Sequence, residues 1–211
     1  MSDTWFWNDR AERYARMPVG DPQAFDRKIE ITRGKLTPAS VVLDIGCGTG
    51  SLALRLAPSA GHVHGLDASS AMIAIAERKA IAAGIGNVSF HVGAFGEDPG
   101  VFPEGSLDVI CAYSLLHLVR DRRECLSRMF DLLKPGGCLI ASTVCLGESR
   151  LPYGLLLRVM HTLRRAPRVC VLSRRTLRDE VEAAGFEAVR EPDVGAERTI
   201  SFLVASKPGE N

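Results

Sequence analysis

The sequence predicts an α/β fold, a doubly wound, mostly parallel sheet of seven strands with helices on both faces. Three observations predict it. Between residues 41 and 144, short β-branched runs alternate with stretches of helical periodicity. Parallel strands need long crossovers, and helices supply them. The first of these runs ends in a glycine-rich bend, Asp44-Ile45-Gly46-Cys47-Gly48-Thr49-Gly50. The third observation is bulk: 211 residues, 46% apolar and 24% charged, suffice for one domain with a real core.

The elements follow in order. Residues 3–36 read as two helices, so residues 1–37 form an N-terminal helical cap. Val41 to Ile45 is a strand, and Ser51 to Leu56 a helix. His62 to Asp67 is the second strand. Ser69 or Ser70 caps the next helix, whose Met72, Ile75, Ala76, Lys79, Ala80 and Ala83 recur at helical spacing. Gly84 ends it. Val88 to Val92 and Leu107 to Ala112 are the third and fourth strands. Asp121 caps a helix with Cys125, Met129, Leu132 and Leu133 on one face. Pro135-Gly136-Gly137 stops that helix, and Cys138 to Val144 is the fifth strand. Residues 146–172 form a variable insertion containing an apolar helical stretch, Tyr153 to Leu163. A helix from Ser173 to Ala184 and two strands, Phe186 to Arg190 and Thr199 to Ala205, close the chain. Without an internal repeat or low-complexity segment, residues 1–211 read as a single domain.

Composition excludes several classes. Twenty-six Lys plus Arg face 25 Asp plus Glu, a net charge of +1, so no chain-wide basic footprint for nucleic acid exists. No apolar run reaches the ~20 residues of a membrane span. Met1-Ser2-Asp3-Thr4-Trp5 has neither the basic start nor the apolar stretch of a secretory signal, and a cytoplasmic location is expected. Cysteines 47, 111, 125, 138, 145 and 170 form no C-x-x-C pair and have no accompanying zinc-finger histidines. They read as reduced and mostly buried.

The glycine bend carries the chemistry. Glycines allow a tight turn and a close approach of backbone to ligand. The helix behind the bend offers free N–H groups, and ligands of open parallel sheets bind beyond the carboxyl ends of the strands. Gly48-Thr49-Gly50-Ser51-Leu52-Ala53 also fits the loose dinucleotide pattern G-x-G-x-x-A. Asp44 argues against that ligand. A carboxylate ~4 Å from a phosphate, at an effective dielectric of ~20, meets about 4 kcal/mol of repulsion per charge pair. The same carboxylate favours a ligand carrying an ammonium and a sulfonium.

The stretch Val42-Leu43-Asp44-Ile45-Gly46-Cys47-Gly48-Thr49-Gly50 resembles the first motif of class I S-adenosylmethionine-dependent methyltransferases. Gly65-Leu66-Asp67-Ala68-Ser69 is similar to that family's second-strand end, where an acid takes the two ribose hydroxyls. Ser106-Leu107-Asp108-Val109-Ile110, Leu132-Leu133-Lys134-Pro135-Gly136-Gly137 and Ala184-Gly185-Phe186 resemble later segments in the right order. The resemblance covers roughly residues 40–206. It implies a Rossmann-like sheet, S-adenosylmethionine as cofactor, no required metal, and direct in-line methyl transfer to a small-molecule acceptor. S-adenosylhomocysteine is the implied product.

The resemblance also implies a site. Asp44, Gly46, Cys47, Gly48 and Gly50 supply the loop, and Asp67, Ala68 and Met72 the ribose side. Gly93, Ala94 and Phe95 face the adenine, while Tyr113 and Ser114 wall the pocket. One departure is that Ala94 stands where the family often has an Asp for the adenine amino group. Glu97 or Asp98 is a candidate substitute, and somewhat weaker cofactor binding is expected. His117 is the candidate general base, with packing on the cofactor loop as its alternative. Tyr14, in the aromatic run Trp5-Phe6-Trp7-Asn8-Asp9-Arg10-Ala11-Glu12-Arg13-Tyr14, is matched to the tyrosine that reaches the methionine end. His62, His64 and His91 read as structural.

Residues 150–178 contain eight arginines and no acid, leaving 18 basic against 25 acidic residues elsewhere, net −7. The segment is read as an amphipathic lid, as the mouth of a pocket for an amphiphilic or anionic acceptor, or as a peripheral membrane contact. RNA is disfavoured, because Tyr153 is its only aromatic. Two rival functions stand beside the methyltransferase: a regulatory or inactive homologue that binds S-adenosylmethionine, and a nicotinamide-dependent oxidoreductase.

Overall fold

The computed structural model describes residues 3–96, 102–149, 153–163 and 165–209. The Glu97 and Asp98 candidates and two arginines of the basic segment, Arg150 and Arg164, lie outside the described residues.

Two helices lead, α1 (Thr4–Arg16) and α2 (Pro22–Arg33). Asp21 starts α2 by accepting the Ala24 N–H at 2.9 Å, with proline in the first turn where no hydrogen bond is lost. Then come β1 (Val41–Ile45), α3 (Ser51–Leu56), β2 (His62–Asp67), α4 (Ser70–Ala82), β3 (Val88–Val92) and β4 (Leu107–Tyr113). After them run α5 (Arg122–Leu132), β5 (Leu133–Val144), α6 (Tyr153–Thr162), α7 (Arg174–Ala183), β6 (Glu187–Arg190) and β7 (Ile200–Ser206). The expected caps Ser69, Asp121 and Ser173 each accept a first-turn N–H.

The seven strands lie in the order β3-β2-β1-β4-β5-β7-β6. Pairs among β1 to β5 are parallel, and β7 runs antiparallel to both β5 and β6. The order reverses between β1 and β4, which opens a crevice at their carboxyl ends.

Both faces of the sheet are covered, so β1 is buried on neighbouring positions. Leu43 and Ile45 pack with Leu126, Met129 and Leu132 of α5 and Leu177 and Val181 of α7. Val42 packs on the opposite face with Ile29 of α2 and Leu52 and Leu56 of α3. Each such side chain contributes roughly 1.5–3 kcal/mol. Arg122 and Glu180 tie α5 to α7 through two hydrogen bonds, 2.7 and 3.0 Å.

The fifth strand differs from expectation. It begins at Leu133 and runs through Pro135-Gly136-Gly137. The β4–β5 register slips between Leu107↔Leu133 and Val109↔Cys138, so the turn is absorbed as an irregularity inside the strand. Asp108 anchors this corner, its carboxylate accepting from Lys134 Nζ (2.8 Å) and the Val41 N–H (2.7 Å).

Candidate active site

The loop between β1 and α3 turns over the crevice. Gly46, Gly48 and Gly50 have φ of 69°, 53° and 74°, a region that side chains with a Cβ rarely adopt. A Cβ on Gly50 would also stand 2.8 Å from the Phe90 ring and 2.9 Å from the Ala76 methyl. The loop is held to β2 by Gly46 and Cys47, whose N–H groups both donate to the Leu66 carbonyl, at 2.7 and 3.1 Å. Lys79 fastens it to α4, donating to Thr49 Oγ1 at 2.8 Å.

Asp67, at the end of β2, faces this loop. Its Oδ2 accepts the Gly48 N–H at 2.9 Å and its Oδ1 the Ser69 N–H at 2.8 Å. Burial pushes its pKa up, and these two amides pull it back. Asp44 lies beneath the loop, almost fully buried, and its Oδ2 has no hydrogen-bond partner among the described residues. Burial, with Asp67 nearby, raises its pKa to about 8.

Helix α1 closes the crevice from above. Asn8 Oδ1 accepts from Ser69 Oγ at 2.6 Å, Arg78 of α4 pairs with Glu12 at 2.8 Å, and Ala11 packs on Met72 and Ile75. This seats the Tyr14 ring 3.8 Å from where a Cβ on Gly48 would project. The Tyr14 pKa is raised by burial and by the Asp67 and Asp44 carboxylates.

The result is a cavity of about 1010 Å³, at the upper end of small-molecule sites. Eleven of the fifteen expected site residues line it: Tyr14, Gly46, Gly48, Asp67, Ala68, Met72, Gly93, Ala94, Phe95, Tyr113 and Ser114. Tyr113 is held by Thr32 Oγ1, 2.9 Å from its hydroxyl. Ser114 adopts φ 53°, a strained value for a non-glycine residue.

Four expected residues are not on the cavity wall. Asp44 sits mid-sheet, opposite Gly65 and Cys111, and its side chain turns under the loop. Cys47 and Gly50 face inward: burial, then the nearby Asp44 and Asp67 carboxylates, push the Cys47 pKa up, and Gly50 caps α3. His117 is likewise off the wall. Its Nδ1 lies 3.0 Å from Thr143 Oγ1 on β5, and burial lowers its pKa to about 4. Its carbonyl accepts the Cys170 N–H at 2.7 Å, so it braces the segment that follows α6.

Other wall residues escaped sequence reasoning, among them Trp7, Phe102, Leu115 and Leu118, while Arg168 comes from the basic segment, one reading of which is a pocket mouth. Leu115 directly follows the expected Ser114, and its Cδ1 lies 3.0 Å from where a Gly46 Cβ would stand. Position Asp3 is the least legible. Its Oδ2 accepts the Arg168 N–H at 2.6 Å, joining α1 to a segment 165 residues away. The three strand histidines form a row: His62 Nε2 lies 2.9 Å from Ser89 Oγ and His64 Nδ1 3.3 Å from His91 Nε2. Among the described residues no group of three or more His, Cys, Asp or Glu is arranged to hold a metal ion.

A switch-point crevice, a three-glycine loop and an acid at the next strand end define a class I S-adenosylmethionine-dependent methyltransferase fold with its cofactor cleft. The comparisons agree. The family model described as "Methyltransferase domain" matches residues 36–180. The chain belongs to that methyltransferase family, whose cofactor is S-adenosylmethionine. Over 127 residues it is 35% identical to a demethylmenaquinone methyltransferase of Geobacillus kaustophilus (strain HTA426), covering 59% of this chain and 50% of that protein. Over 134 residues it is 30% identical to a ubiquinone biosynthesis O-methyltransferase of Xanthomonas axonopodis pv. citri (strain 306), covering 63% and 54%. The chain thus spans about half the length of these curated relatives. The fold matches the crystal structure of a SAM-dependent methyltransferase from Aquifex aeolicus at a TM-score of 0.70, 20% identity, over 94% of this chain and 97% of that one.

The residues present fit the cofactor. The glycine loop keeps its backbone open to the cavity at Gly46 and Gly48, and Asp44 holds an unpartnered buried carboxyl oxygen behind it. Asp67 beside the loop opposes a pyrophosphate and suits a cationic ligand, and a cation there would favour the ionised form of Asp44.

Proposed function

We propose that this chain transfers the methyl group of S-adenosylmethionine to a small, lipophilic or amphiphilic acceptor by direct in-line displacement. The observation that carries this reading is Asp67, bonded to Gly48 and Ser69 at the cavity wall with Asp44 buried behind the same loop. When bound, the cofactor supplies an electrophilic methyl carbon on a sulfonium leaving group.

The chain's own residues bind, orient and exclude water. Asp67 would hold the ribose hydroxyls, already fixed in place by two amides. Ala94 and Phe95 would flank the adenine, through backbone groups and ring packing. Tyr14 covers the glycine loop, and Trp7 and Tyr113 screen the cavity from solvent. Transfer then depends on alignment and dryness more than on a protein base. An acceptor whose nucleophile is anionic near neutral pH needs no proton removed.

The apolar and aromatic wall (Phe95, Phe102, Leu115 and Leu118) supports a lipophilic acceptor. So do the quinone-related names of the two relatives. Isothermal titration with S-adenosylmethionine, S-adenosylhomocysteine and NADP tests the cofactor: the first two should bind and NADP should not. Labelled methyl transfer to a panel of reduced quinols and phenols tests the reaction. The position of His117, off the cavity wall and against Thr143, supports one second reading, a homologue that binds without turnover. Tight binding with no labelled product, on this panel or with lipid extract, would replace the first reading with the second.

A further inference from the structure

Helix α6 carries an apolar row that faces outward. At 100° per residue, Leu156, Val159 and Leu163 fall on one side, and they are 53%, 49% and 61% exposed. Tyr153, Leu157, Met160 and His161 lie on the less exposed side. Exposed Val171 lies against the first turn, 3.9 Å from where a Cβ on Gly154 would stand. Exposed apolar residues are ordinarily scattered singly. Here they line up along one short helix and the residue that follows it.

The exposed charges beside the row are arginines, and Asp3 meets α6 on its other side, 4.0 Å from His161 Nδ1. Arg158, Arg165 and Arg168 are exposed, and none has an ion-pair partner among the described residues. Arg175 and Arg178, by contrast, pair with Asp179 and with Glu182 and Glu191. With net −7 outside residues 150–178, an anionic plane attracts this segment and repels the rest. That asymmetry sets an orientation as well as an affinity.

We infer that α6 and the turn after it dock flat on an anionic lipid bilayer, with Leu156, Val159 and Leu163 entering the interface and Arg158 and Arg165 meeting lipid phosphates. An apolar stripe flanked by arginine is the pattern of an interfacial helix. No helix among the described residues is long and apolar enough to cross a membrane, so contact is peripheral. The docked face adjoins the cavity: Pro167 and Arg168 line its wall, and the Arg168 N–H bonds Asp3 at the start of α1. A lipophilic acceptor would then enter from the bilayer side. That consequence rests on the proposed function, whereas the docking does not.

Flotation of the full chain with vesicles tests it. Binding is expected to phosphatidylcholine vesicles part-substituted with phosphatidylglycerol, to fall with added salt, and to be at least about tenfold weaker on pure phosphatidylcholine. The Leu156→Ser/Val159→Ser/Leu163→Ser triple variant and the Arg158→Gln/Arg165→Gln double variant should each lose about tenfold in partitioning while keeping the parent melting temperature. Equal binding to both vesicle types, or none to either, overturns the inference. So does a concentration-dependent dimer in sedimentation that the triple variant abolishes, which would make a second copy the occupant. Flotation without a melting shift by S-adenosylmethionine would fail the proposed function alone. A melting shift without flotation would fail this inference alone.

Discussion

The Asp67 carboxylate accepts the Gly48 N–H at 2.9 Å, joining the end of β2 to the glycine loop that follows β1. The acid is thereby fixed before any ligand arrives. A preorganised acceptor loses little freedom on binding, which is where affinity is commonly gained.

Replacing Asp67 should expose that dependence. Asp67→Ala removes the acceptor of two amides as well as the group matched to the ribose, and charge-assisted bonds are worth about 1.5–3 kcal/mol each. Calorimetry should show S-adenosylmethionine binding weakened by about ten- to a hundredfold. Asp67→Asn, which keeps one acceptor oxygen, should fall between. Unchanged affinity in the Ala variant would detach Asp67 from the cofactor.

Asp44 makes a pH prediction. Its folded pKa of about 8 stands above the ordinary value of 3.8. As pH rises, the unfolded chain releases this proton first, so the stability this group lends below about pH 4 is withdrawn progressively up to about pH 8. Asp44→Asn should flatten that slope and melt higher at pH 8, at ~2–4 °C per kcal/mol recovered. It should also weaken binding of the cationic cofactor. An Asn variant that melts lower at pH 8 while binding normally would contradict both halves.

His117 should behave as a brace. Asn offers Thr143 a hydrogen-bonding group near the position of Nδ1, so His117→Asn should keep methyl transfer within roughly threefold. Loss of a general base typically costs 10²–10⁴-fold. Because burial holds the His117 pKa near 4 against a usual 6.5, its neutral form supports the fold at neutral pH, and that support is lost as pH falls from about 6.5 to 4. The variant should melt with a shallower acid slope. A drop of two orders of magnitude in rate would make His117 the base.

Gly50→Ala should destabilise sharply, because both its φ of 74° and its neighbours oppose a Cβ. Phe90→Leu in the same chain should recover part of the loss, since the Phe90 ring is one of the two groups it would strike. Thermal melts of the single and double variants measure the coupling. Additive losses would show that the Phe90 contact contributes nothing and leave backbone strain and the Ala76 contact as the causes.

The features legible in advance were those encoded within a few residues. Ser69, Asp121 and Ser173 announced helix starts because a capping side chain reaches only its own first turn. The Asp44-to-Gly50 bend and Asp67 were readable for a similar reason, since a strand end and its loop are contiguous. Adjacent strands then carried these two short segments to one crevice. The fifth strand was misjudged at Pro135-Gly136-Gly137, because only the pairing with β4 shows that the sheet continues past a turn signal.

His117 and Asp3 mark the boundary between chain and fold. A histidine after the fourth strand reads equally well as base or brace, and its contact with Thr143, 26 residues away on β5, is visible only in the fold. The Asp3–Arg168 bond spans 165 residues, a separation over which local spacing carries no information. Cofactor class thus followed from residue types in sequence order, because backbone and nearest neighbours shape that part of the site. Which side chains line the cavity was decided by packing, because only the closed sheet decides what points inward.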